Sequence, residues 1–548
     1  MVKKMKRRNG AHALVESLVS EGVQTLFGIP GVDTLGVYDA FLDHGSIRAI
    51  NTRHEQGAIF MADGFYRASG EVGVAVTSGG PGALNTLTAM GTAFNDSSAI
   101  LHIVNENPAH VRRRARGYFH DVADQMGIFR PVTDFSHQTS LPGEIPAAIQ
   151  AAMSALKSRR PRPAMVEIAG ESFRADTDVA MPARSEADRA KASEVEITRA
   201  AKLICSAKRP IIWSGGGVVA SKGANEALLK IAERIGAPVL TSQSGKGSFP
   251  PNHPLHIGNW ANERPVRELI ASSDLVFVVG SRLSYFPTGG WSLRLPETIV
   301  QFDLDPAELG RNYPITLGVV SDAADALDKL NKTLTSLSHK PVRDPRREIF
   351  NINQQIATGV GRPVEIQVLD QIRGALPETA LVFNDPTTIV FWARSHWKAS
   401  LPRTWFVPSG FGTLGFALPS AIGAAIAKPD QPSIAIMGDS GVMFTIQDLM
   451  TAVEHNIPVV VMVFNDRGYG VERRHQDHLY GRRSGVDLLP PDFVALAKAF
   501  GATGMKVNDL GKLGDALSSA IDRKGPVLLE IPCDFKHPGY GSFVDWDS

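Results

Sequence analysis

The stretch 437-MGDSGVMFTIQDLMTAVEHNIPVVVMVFNDRGYG-470 decides the reading of this chain. The apolar run Ile434–Met437 leads into it and ends in Gly438-Asp439. A second apolar run, Pro458–Phe464, ends in Asn465-Asp466, and the segment between the two is helix-like. Buried strands alternating with helices make a parallel α/β sheet. In such open sheets, ligands collect at the carboxyl ends of strands. Asp439 and Asp466 both stand at such ends, 466 − 439 = 27 residues apart. One strand–helix–strand crossover takes about 30 residues, so the two acids are expected side by side on neighbouring strands. Adjacent carboxylates repel unless a cation neutralises them. An oxygen-only pair, followed by the backbone carbonyls of RGYG, suits Mg2+ or Ca2+, and Mg2+ usually bridges phosphates. Gly438 and Gly441 let backbone approach a phosphate, and the following helix offers its N-terminal N–H groups. The expectation is a Mg2+–diphosphate cradle. Taken singly, Asp439 reads as a helix cap and Asn465-Asp466 as a turn; the crossover spacing of the pair argues for a site.

The same grammar runs through the rest of the chain. Three blocks are expected: residues 1–182, 190–340 and 360–548. Each is an α/β unit with a doubly wound parallel sheet. The first offers strands at Val23–Ile29, Arg48–Asn51, Val72–Thr77 and Ala99–Val104. The polar run Ala183–Glu196 reads as a linker. The second offers Pro210–Trp213, Pro238–Leu240, Leu275–Val279 and Thr298–Asp303, and closes on the linker-like HKPVRDPRRE (339–348). The third offers Ala380–Phe383, Ser433–Met437, Val459–Phe464 and Val527–Ile531. The first and third blocks look alike in kind.

Composition excludes several classes. The chain has 548 residues, 43% hydrophobic and 21% charged, which reads as globular. Its net charge of +1 gives no bulk electrostatic case for nucleic acid or a membrane surface. No apolar stretch of about 18 residues predicts a membrane span. The basic start MVKKMKRRNG lacks the apolar core of a signal peptide. Two cysteines, Cys205 and Cys533, stand far apart, so the expected compartment is the reducing cytoplasm.

With these motifs in place, the chain resembles the thiamine-diphosphate (ThDP) enzymes of the acetolactate synthase and 2-oxo acid decarboxylase type, which include benzoylformate decarboxylase-like proteins. Their diphosphate motif is Gly-Asp-Gly, then some 25–30 residues ending in Asn-Asn; here it reads GDS…FND. Further matches are FGIPG (27–31), HEQGAIFMADGFYRASG (54–70), SGGPGALN (78–85), WSGGGV (213–218), SGKGSFPPNHPLHIG (244–258), VVGSRL (278–283) and GFGTLGFALPSAIGAA (410–425). They span almost the whole chain in family order. The resemblance implies a pyrimidine-binding, a central Rossmann-like and a diphosphate-binding domain. It also implies a homodimer or homotetramer with each active site at a subunit interface.

Residue roles follow from the same resemblance. Glu55 matches the glutamate that bonds the aminopyrimidine of the cofactor. Asp439 matches the metal aspartate. Asp466 takes the second metal position, where the family pattern usually has Asn, and Gly468 would lend a backbone carbonyl. Ser440-Gly441 invert the usual Gly-Ser order. Leu414 falls where the family places a bulky apolar residue under the cofactor, and Thr387-Thr388 resemble a diphosphate-contacting pair. Pro30, Asn85, Gly412, Gly438, Tyr469 and Gly470 complete the implied cofactor-binding set. FAD over the central GGG (215–217) is the less favoured reading.

The reaction is harder to read. Phe119-His120-Asp121 stand where acetolactate synthases commonly have Phe-Gln-Glu, and His120 could relay a proton near neutral pH. His102 reads as structural. The family's tryptophan in MVRQWQ is His475 here, within VERRHQDHLYGRR (471–483), whose arginines read as a solvated helix face. These departures favour a 2-oxo acid decarboxylase working through a carbanion–enamine. An acetolactate synthase-like carboligase joining two 2-oxo acids is the alternative.

Overall fold

The computed structural model describes residues 8–114 and 116–535. Three six-stranded sheets, every pairing parallel, make up the α/β fold that the sequence predicts. The first contains β1 (Thr25–Gly28), β2 (Arg48–Asn51), β3 (Gly73–Thr77), β4 (Ile100–Glu106), β5 (Phe135–Thr139) and β6 (Ala164–Ala169), in the order β2-β1-β3-β4-β6-β5. The second contains β7 (Pro210–Ser214), β8 (Val239–Thr241), β9 (His256–Gly258), β10 (Leu275–Val279), β11 (Ile299–Asp303) and β12 (Leu317–Val320), in the order β12-β11-β10-β7-β8-β9. The third contains β13 (Leu381–Asn384), β14 (Trp405–Phe406), β15 (Ser433–Gly438), β16 (Val460–Asn465), β17 (Thr503–Lys506) and β18 (Val527–Pro532), in the order β14-β13-β15-β16-β18-β17. Helices cover both faces, so central strands such as VVMVFN are buried on both sides and read as unbroken apolar runs.

Twelve strands fall where the apolar runs predict them. The six that the sequence does not announce are β5, β6, β9, β12, β14 and β17. Five of these lie at sheet edges, where one neighbour is missing and less apolar side-chain area is required. The sixth, AMVEIA, is fully buried, but Glu167 interrupts its apolar run.

The central domain has its own core around Trp213, Phe277 and Phe302. The first and third domains instead share one, in which Phe27, Phe60 and Met61 meet Phe416, Ala421 and Val461. Its axis is the helix Glu55–Ser69 against the helix Ala417–Ala427. Two glycines allow the contact: a Cβ on Gly64 would lie 1.9 Å from Ser420 O, and one on Gly423 would lie 1.9 Å from Met61 O. Buried Arg67 pairs with Asp63 at 2.7 Å and Asp96 at 3.2 Å, and donates to Val407 O of the third domain. The helix that begins at Glu55 is thereby fixed to the third domain of its own chain.

Candidate active site

The third sheet changes direction between β13 and β15. The chain leaves β13 for the edge strand β14 and returns on the other side of β13 as β15. The crevice over such a switch point is the standard ligand position. Three acids gather there: Asp385 after β13, Asp439 after β15 and Asp466 after β16. Thr387 heads the helix Thr388–His396 without capping it through its side chain. A Cβ on Gly438 would lie 3.5 Å from Thr387 Oγ1, so the two loops adjoin.

Asp439 and Asp466 come together as the spacing predicts, near enough to share a proton. Asp439 is buried and its Oδ1 has no partner. Burial and then the Asp439 charge push Asp466 up to about 6, against the pull of Arg473 and Arg474. Burial likewise raises Asp439, which faces the N–H groups of Ser440 and Gly468. Such a pair holds a proton or a cation. Among the described residues no group of three or more His, Cys, Asp or Glu side chains is arranged to hold a metal ion by itself. Two carboxylates with backbone oxygen nearby therefore fit an ion that takes its other ligands from phosphate and water, as Mg2+ does. Gly470 is required beside this pair, because a Cβ there would lie 1.8 Å from Asp466 Oδ2. Gly468 is packed against Val486 O in the same way, at 2.2 Å.

Asp385 organises the loop beneath. It accepts from Gly415 N at 2.7 Å and from Ala417 N at 2.8 Å, and burial pushes it up to about 7. This holds the turn through Gly412 (φ 68°) that presents Leu414. A Cβ on Gly441 would lie 3.0 Å from Asp385 Oδ2 and 3.7 Å from Leu414 Cδ2, which sets Leu414 beside the GDSG turn. A cavity of ≈ 340 Å³ opens over Asp439 and Ser440, walled by Met443, Phe444, Tyr469 and Leu488. None of its lining residues comes from the first domain.

The first domain assembles a second constellation. Asn85 donates to Glu55 Oε2 at 2.9 Å. A Cβ on Gly82 would lie 3.4 Å from Glu55 Oε1, so the glycine loop after β3 borders the acid. Pro30 is exposed at the end of β1, next to Gly31, which packs on Ser78 of that loop. His120 lies over the same loop with φ 60°, stacked on Phe119, and its Nδ1 is buried without a partner.

Sequence reasoning missed the supports of this loop. Gln125 accepts from Gly80 N at 2.7 Å and donates to Glu167 Oε1 at 2.7 Å. Burial and the neighbouring Glu106 push Glu167 up to about 7. The one signal was an acid inside an apolar run. The arginines need a correction. Arg482 and Arg483 are exposed as expected, but Arg474 donates to Thr388 Oγ1 and Phe535 O, and Arg473 donates to Asp466 O at 3.2 Å. Arg473 also pairs with Asp487 at 2.9 Å. His102 is structural as expected: buried, 2.9 Å from Thr77 Oγ1.

Comparison with known families decides what this arrangement serves. The N-terminal TPP-binding domain of thiamine pyrophosphate enzymes matches residues 8–128, the central domain matches 197–330, and the C-terminal TPP-binding domain matches 385–531. The chain belongs to the thiamine pyrophosphate enzymes. A probable acetolactate synthase large subunit of Methanocaldococcus jannaschii is 34% identical, over 96% of this chain and 92% of that protein. A probable 2-ketoarginine decarboxylase of Pseudomonas aeruginosa is also 34% identical, over 96% and 94%. A sulfoacetaldehyde acetyltransferase of Alcaligenes xylosoxydans is 31% identical, over 95% and 92%. No helix among the described residues is long and apolar enough to cross a membrane.

Proposed function

We propose that this ThDP enzyme is Mg2+-dependent and cleaves a 2-oxo acid next to its carbonyl, releasing CO2. The Asp439–Asp466 pair at a sheet switch point is the observation that carries the reading. Bound ThDP supplies an electron sink for the pair left by the departing CO2. Asp439, Asp466 and the Gly468 carbonyl would hold Mg2+; Gly438, Ser440, Gly441, Thr387 and Thr388 would receive the diphosphate; Gly412, Leu414, Tyr469 and Gly470 would shape the floor. Glu55, steadied by Asn85, would share a proton with the aminopyrimidine, with Pro30 bordering it. His120 moves a proton to or from the reacting carbon. Flavin has no step in this reaction, although a cavity of ≈ 440 Å³ lies over the GGG turn between β7 and β10.

Each active site joins the first domain of one subunit to the third domain of another. The diphosphate-side cavity has no first-domain wall. Apolar side chains also stand exposed on both halves: Leu84 and Phe119 on the first domain, Phe411, Met443 and Phe444 on the third.

A decarboxylase giving an aldehyde is the leading reading, on the departures at His120 and His475. The acetolactate synthases among the relatives favour the second, in which another 2-oxo acid captures the product. Both begin with CO2 loss. The test is CO2 release with ThDP and Mg2+ from a panel of 2-oxo acids, with the organic product identified. An aldehyde supports the first reading and an acyloin the second. Glu55→Gln should lower kcat about 10²–10⁴-fold without loss of fold. Full turnover in that variant refutes the proposed role.

A further inference from the structure

The stretch SGKGSFPPNHPLHIG (244–258) takes no part in the site above. It folds over a separate cavity of ≈ 380 Å³ between the central and third domains. Lys246, Phe249, His256 and Trp260 form one wall; Trp397 and Lys398 face them; the helix Arg346–Val360 closes the side through Ala357.

Its polar groups are under-used. Lys246 is 7% exposed and its Nζ donates to Trp397 O at 2.8 Å, whereas an ammonium has three donors. Among the described residues no acid pairs with it, and burial alone pushes it down to about 7. His256 has Nδ1 3.2 Å from Pro251 O, so Nδ1–H donates there and Nε2 presents a lone pair. That Nε2 is buried without a partner. Lys246 and His256 are close enough to influence each other electrostatically. The one acid in the lining, Asp370, is already engaged by His396 at 3.0 Å and Arg362 at 3.0 Å. An anion is therefore missing opposite Lys246, and a hydrogen-bond donor is missing opposite His256. Thr241, Asn353, Ser395 and Lys398 add polar groups to the lining, and the rest of the wall is mostly aromatic and aliphatic, as small-molecule sites are.

We propose that this cavity binds a small apolar carboxylate bearing a hydroxyl or amino group beside the acid. The carboxylate takes the free donors of Lys246, the hydroxyl or amino group donates to His256 Nε2, and the apolar body lies against Phe249, Trp260 and Trp397. The site stands apart from the catalytic reading and does not depend on it.

Titration calorimetry of the holoenzyme with four matched probes tests this: 2-hydroxy-4-methylpentanoate, leucine, 4-methylpentanoate and leucinamide. The first two are expected to bind. Loss of the donor in the third, or of the carboxylate in the fourth, should each weaken binding about tenfold or more. Lys246→Met should weaken it similarly. Ala357→Trp, on the exposed side of the wall, should block the cavity while leaving the Lys246–Trp397 tie in place. No binding to the wild type at about 10 mM, equal binding of all four probes, or unchanged binding in both variants overturns the proposal.

Discussion

Asp448 has its carboxylate against the first turn of the helix that carries Glu55. Its Oδ1 accepts from Arg53 N at 3.3 Å, its Oδ2 has no partner, and a Cβ on Gly57 would lie 2.2 Å from that oxygen. Burial pushes the carboxyl up to about 7. The folded state therefore keeps this proton to higher pH than the unfolded chain does. Its stabilising balance is full below the ordinary carboxylate range and is lost as pH rises through about 7. Asp448→Asn keeps the Arg53 bond and removes the titration, so the fall in urea-denaturation midpoint between about pH 4 and pH 7 should flatten. A variant as steep as the wild type would assign the slope to another group. At this scale the sequence is legible where an acid follows a strand, as at Asp439 and Asp466. It is mute where an acid serves a distant segment: Asp448 meets Arg53, 395 residues away.

Between elements, the contacts depend on absent side chains. Gly64→Ala and Gly423→Ala each drive a methyl into a carbonyl across the helix pair. Each should cost about 1–3 kcal/mol of stability, read from denaturant midpoints. The loop under the GDSG turn fails differently. Asp385→Ala leaves the buried Gly415 and Ala417 N–H groups unpaired, at about 1–3 kcal/mol each, and should weaken ThDP binding in a direct titration. Central strands were legible because burial on both faces leaves an unbroken apolar run. Edge strands such as Thr503–Lys506, only partly buried over most of its length, carry no such mark. The Asp385 brace was half legible: an acid after a strand was visible, its partners 30 and 32 residues onward were not.

For the whole molecule, the unfinished half-sites predict association. Sedimentation velocity should find a dimer or larger. Phe444→Glu, which sets a charge on the exposed rim beside the Asp439 cavity, should shift the protein toward monomer and lower activity with it. A wild-type monomer with full activity would defeat the shared-site arrangement. The first and third sheets also share one strand order. Numbered from their own first strands, both run 2-1-3-4-6-5, while the central sheet runs 6-5-4-1-2-3. With one strand order, equivalent loops of the two domains stand at equivalent strand ends: the glycine loop after β3 in the first corresponds to the GDSG turn after β15 in the third, so a single architecture presents two loops of different chemistry from the same place in the sheet.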